Sequence, residues 1–158
     1  MTSDQRLSAQ AEALGYSFDG AIKVGGDYVP LIRDGNHIYL SGQIPRVGDT
    51  VVITGAVGAE TTLAQAQVGA RICAMRALTL LQRSLGSLER VTATPRMTVY
   101  VRSAPTFTQQ SEVADAASRL LHEVIGPAGV HTRTSVGVAQ LPKSASVEID
   151  FIFKVSAG

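Results

Sequence analysis

VHTRTSVGVAQLPKSASVEIDFIF, residues 130–153, holds two strand patterns around a proline-containing loop. Successive side chains of an extended chain point to opposite faces, so Thr134, Val136 and Val138 share one face while Arg133, Ser135 and Gly137 share the other. With only small neighbours on its face, Arg133 is expected to have open space around it. Its five fixed donors suit a carboxylate gripped through two parallel bonds. An arginine pairing with an acid on a solvated sheet edge fits the same local pattern. After the loop, Val147, Ile149, Phe151, Phe153 and Val155 alternate with Glu148, Asp150, Ile152 and Lys154, and the first set is the expected core face. A hairpin centred near Lys143 would place Arg133 opposite Phe153 and Glu148 opposite Val138, roughly 16 Å apart along the strands.

Working back towards the N-terminus, Phe107 to Val124 carries apolar residues at three- and four-residue steps and stops at Gly126, which predicts a long helix. Before it, RVTATPRMTVYVRS alternates Met97, Val99 and Val101 against Thr98, Tyr100 and Arg102, a strand pattern in which Pro95 implies an irregular or edge position. A longer helix is predicted from the capping-box pair Thr62 and Gln65 to Gly86, with Val68, Ile72, Met75, Leu78 and Leu85 as its apolar stripe. Arg71, Arg76 and Arg83 are expected on its solvated face. At the front, Tyr28 to Ile32 and His37 to Leu40 flank the turn RDGN and predict a hairpin, and TVVITG predicts a third strand. Thr2 with Gln5 opens a short N-terminal helix ending at Gly15. The order β-β-β-α-β-α-β-β points to an α+β or mixed α/β domain with two long helices on one face of a single sheet. Residues 1–158 are expected to form one domain, with residues 1–20 as an N-terminal helix extension.

Composition narrows the function. The net charge is +1 and the basic residues are spread from Arg6 to Lys154, so nucleic acid is not an expected partner. Charged residues make up 17%, against a usual share of about 25%, which hints at an oligomer interface. The lone Cys73 falls in a helical pattern and excludes a disulfide framework; His37, His122 and His131 form no short-range ligand pair. No signal-like core or membrane-length apolar run is present, so no membrane association is expected and the cytoplasm is the expected compartment. Dinucleotide and phosphate loops and a G-x-S-x-G elbow are also missing. Polar residues at strand ends remain: Tyr28, Ser41, Arg133 and Glu148.

YVPLIRDGNHIYLSGQIP, followed by RTSVGVAQLPKSASVEID, resembles the Rid family of reactive intermediate deaminases, also called the YjgF family. The resemblance runs from about Tyr28 to Val155. It implies a chorismate-mutase-like α+β fold, a homotrimer with ligand clefts between subunits, and hydrolysis of small 2-imino acids such as 2-aminoacrylate to 2-oxo acids and ammonia without a cofactor. By resemblance Arg133 binds the substrate carboxylate, Glu148 serves as base or orients water, and Ser41, Tyr28 and the main-chain carbonyl of Ser135 line the cleft.

Two alternatives stay open: a non-catalytic trimeric binder of small carboxylates, and an endoribonuclease, against which the near-neutral charge argues. The chain also departs from deaminating members. His131 stands where they have proline, and TQQSEVADAASRL lacks their helical asparagine, which leaves the substrate's side chain open. With its N-terminal helix and longer GPAGVH loop, the chain resembles a longer subgroup of uncertain activity.

Overall fold

Alternating apolar residues make β7 (Val147–Val155) the middle strand of a five-stranded sheet, in a computed structural model that describes residues Met1–Gly158. β1 (Leu31–Asp34) and β2 (His37–Gln43) form an antiparallel hairpin, and β2 continues antiparallel onto β7. On its other side β7 pairs antiparallel with β5 (Val91–Arg102), which pairs parallel with the edge strand β6 (Thr132–Val138). The sheet order is therefore β1-β2-β7-β5-β6. A parallel pair needs a crossover, and α3 (Gln110–Ile125) supplies it between β5 and β6.

α2 (Leu63–Leu85) and α3 cover one face of the sheet. Ile72, Met75, Leu78 and Leu81 from α2 and Val113, Leu120 and Leu121 from α3 are buried with Met97, Val99, Ile149, Phe151 and Phe153 from the strands. Cys73 is buried among them, and burial pushes its thiol pKa up. Thr62 and Gln65 form the capping box of α2, and Gly86 closes that helix at a left-handed φ of 84°. Thr2 and Gln5 do the same for α1 (Ser3–Leu14), which packs against α2 and α3 through the buried Leu7. No helix is long and apolar enough to cross a membrane.

Three expectations are corrected. The first hairpin strand begins at Leu31, leaving Tyr28 in the loop before it. TVVITG contributes only β4 (Thr50–Val51), which pairs with β3 (Arg46–Val47) outside the main sheet. The residues after β4 instead hold the Leu141–Ser146 loop: Ser146 N donates to Ile53 O at 3.2 Å and Gly55 N to Ser144 O at 2.9 Å. Finally, β6 and β7 are not a hairpin. β5 lies between them, and residues 139–146 pass across its end, with Arg102 beside Val138 and Val101 beside Val147. Pro95 sits inside this interior strand, where the β5–β7 ladder shifts register between Ala93 and Arg96.

Candidate functional site

The β2–β7 register slips between Leu40 and Gln43, and Ser41 and Gly42 occupy the bulge. Beside it, Glu148 leaves the sheet on the face opposite the helices, paired across the ladder with Tyr100. Its carboxylate fills the space over Gly42, where an added Cβ would lie 2.1 Å from Oε2. Glu148, Gly42 and Tyr28 line one cavity of about 190 Å³. Ser41 borders an adjoining depression with Tyr28 and Asp150, and its Oγ donates to Val29 O at 2.8 Å, tying the loop that carries Tyr28 to the bulge.

Burial, then the neighbouring Asp150, raises the Glu148 pKa above its ordinary value. No cation stands within ion-pair distance of it: the chain's only ion pairs are Lys23–Asp49 and Arg133–Asp115. A half-buried carboxylate of this kind can exchange a proton with a bound molecule.

Arg133 lies elsewhere. It shares a row with Met97 on the helix side of the sheet, where Ser111, Asp115 and Ser118 form a polar stripe along α3. Its Nη1 donates to Asp115 Oδ1 at 2.8 Å and Ser118 Oγ at 3.0 Å, and its Nη2 donates to Ser111 Oγ at 2.7 Å. The expected open space is thus occupied by helix α3, and within one chain the arginine pairs with an acid at the sheet edge. Nε makes none of these bonds, and the side chain stays 20% exposed. Ser135 faces the same side with a buried, unpartnered hydroxyl. His131 lies alongside, its Nε2 2.8 Å from Ser118 Oγ and its Nδ1 2.6 Å from Gly129 O.

Tyr28, Ser41 and Glu148 therefore gather on the open face at the bulge, whereas Arg133, Ser135 and His131 sit beyond β5 on the helix side. The rows of Arg133 and Glu148 differ by three β5 residues, about 10 Å along the strands. They do not line one cavity of a single chain.

Sequence reading missed the cations around the Glu148 cavity: Lys23, Arg46, Arg76 and Lys143. Arg76 is not solvated as expected but 4% exposed, and burial lowers its pKa. A signal was present in ICAMRALTLL, where a lone charge stands in a helical run apolar on every side.

The sequence model of a family described as endoribonuclease L-PSP matches residues 18–155. Protein TCP17 from Trypanosoma cruzi is 38% identical over 152 residues, spanning 96% of this chain and 95% of that protein. The crystal structure of Atu1372 from Agrobacterium tumefaciens, a protein of unknown function, superposes with a TM-score of 0.86 at 34% identity, covering 98% of this chain and 95% of the other. The structure of E. coli TdcF with bound serine gives a TM-score of 0.58 at 26% identity over 87% of this chain and 92% of the other.

Proposed function

We propose, from the premise that this chain belongs to the endoribonuclease L-PSP family, also called the Rid or YjgF family, and has its chorismate-mutase-like fold, that it hydrolyses small 2-imino acids to 2-oxo acids and ammonia. The observation that carries this reading is Glu148: half-buried, raised in pKa, free of any ion pair and lining a cavity of small-molecule size. Water attacks the imine carbon while Glu148 takes one of its protons and passes it to nitrogen; the resulting carbinolamine then collapses, its hydroxyl proton passing to the amine as C=O forms, the C–N bond breaks and ammonia leaves. Imines hydrolyse readily, so positioning and one proton acceptor supply the catalysis. No cofactor takes part.

In this reading the substrate carboxylate binds Arg133 through the donors its α3 partners leave free, Nε among them. Because Arg133 and Glu148 stand on opposite faces of one sheet, the complete site pairs Arg133 of one subunit with Glu148 of the next in a homotrimer. The serine held by TdcF, itself a small amino acid, supports a carboxylate ligand in a related fold.

The test is an assay of purified protein on 2-aminoacrylate generated in situ. Wild type accelerates its decay, and Arg133→Ala raises KM steeply. Unchanged kcat/KM in that variant contradicts the mechanism.

A further inference from the structure

The Glu148 cavity holds more positive charge than a neutral imine side chain would use. Lys23, Arg46, Arg76 and Lys143 line it with Glu148 as its one acid, although the whole chain carries only +1. Of the four cations, only Lys23 has an acidic partner, Asp49.

Arg76 bonds to neutral acceptors alone. Its Nε donates to Gln43 Oε1 at 3.0 Å, Nη1 to Arg46 O at 2.8 Å and Nη2 to Lys23 O at 3.0 Å. A guanidinium stays ionised at physiological pH, and no carboxylate of the chain is within ion-pair distance of this one. Those bonds also pin the backbone of the two neighbouring cations and make Arg76 a positioning residue.

Arg46 is the free receptor. Its side chain donates no hydrogen bond within the chain, and its Nε is buried without a partner. Its Nη2 lies 4.0 Å from where a Cβ on Gly25 would stand, over backbone that glycine leaves open. Buried guanidinium donors without acceptors are unfavourable unless a ligand supplies the acceptor.

Lys143 reaches the rim by a strained path. It and Ser144 are consecutive non-glycine residues at φ 57° and 60°, the left-handed region that such side chains rarely adopt. The Gly55 N to Ser144 O bond helps hold the turn there.

We propose that this cavity is a second anion-binding subsite, with Arg46 as receptor and Lys143 at the rim, so that the substrate is a 2-imino acid whose side chain ends in another carboxylate. The identity of the reaction rests on the hydrolase reading above; recognition of the distal anion does not. The reaction balances without a redox partner. Water adds across the C=N bond, the C–N bond breaks, ammonia departs, and a 2-oxo dicarboxylate keeps both carboxylates. A cavity of about 190 Å³ admits such a side chain and is too small to follow a polymer backbone.

Calorimetric titration with 2-oxoglutarate and 2-oxopentanoate tests the subsite, since the two share a five-carbon chain and differ in the distal carboxylate. Wild type binds 2-oxoglutarate about tenfold more tightly, the gain of one charge-assisted contact. Arg46→Met removes most of that preference, and Lys143→Gly, which relieves the left-handed strain, removes part of it without lowering the melting temperature. Equal affinities in wild type, or a preference that survives Arg46→Met, overturn the subsite. Preference for 2-oxoglutarate with no acceleration of any imine's decay keeps the subsite and removes the hydrolase reading. Hydrolysis of 2-aminoacrylate without that preference does the reverse.

Discussion

Glu148 joins burial to the lack of a cationic partner, and the combination makes opposite predictions for stability and activity. Its folded-state pKa lies above the ordinary 4.5, so between those values the folded chain binds more protons than the unfolded one. Stability therefore falls as pH rises through that window, and the ionised carboxylate weighs against folding at neutral pH. Glu148→Gln is expected to melt no lower than wild type at pH 7 while losing about 10²- to 10⁴-fold in turnover. The wild-type rate should climb with pH through the raised pKa, a limb that is lost in the variant; a lower melting temperature with full turnover would contradict the assignment. Gly42→Ala probes the same group from behind. The three atoms nearest the new Cβ all belong to the movable Glu148 side chain, so the fold is expected to survive, and displacement of the carboxylate lowers kcat by about 10²-fold. Motif spacing marks Arg133, Glu148, Tyr28 and Ser41 in the sequence, and the fold gathers the last three around the bulge while Arg133 lies against α3. The roles of Arg46 and Arg76 are not marked there, since the neutral acceptors that hold Arg76, the carbonyl of Arg46 among them, lie on segments that meet it only in the folded chain.

The Asp4 carboxylate ties α1 to the C-terminal end of α2 and the turn that follows it. Asp4 accepts from Gln82 Nε2 at 2.9 Å, Ser87 Oγ at 2.6 Å and Leu88 N at 2.9 Å. Burial works to raise its pKa, but these three donors outweigh it and hold the pKa below the usual 3.8. A depressed folded-state pKa gives stability that is complete above 3.8 and is lost as pH falls through the folded value. Asp4→Ala should cost about 1 kcal/mol at pH 7, and urea melts should show the difference shrinking in acid. A difference that persists at low pH would place the effect in packing instead. Local signals carried the elements well: both capping boxes, the alternation of β7 and the stripes of α2 and α3 stand where the residues imply. Pairing partners were less legible. Val138 and Val147 look like hairpin neighbours in sequence, yet β5 fills the gap between their strands, since local alternation records which side chains face inward but not which strand lies alongside.

The sheet face away from the helices leaves Ile32 58%, Tyr39 49% and Val136 39% exposed, and the sequence carries few charges. Glu148 rises from that face, while Arg133 lies behind the edge strand β6. A trimer that covers the open face with neighbouring subunits would bury this apolar surface and bring the two residues to a shared cleft. Subunit complementation tests that claim most directly. Arg133→Ala and Glu148→Gln chains are each expected to be nearly inactive alone at substrate concentrations well below the raised KM, but after mixing and reassembly a cleft can draw its arginine from one variant and its glutamate from the other. An equal random mixture should recover about a quarter of wild-type 2-aminoacrylate hydrolysis. Activity no higher than that of either parent, in trimers shown to contain both variants, would place both residues in the site of one subunit and contradict the account.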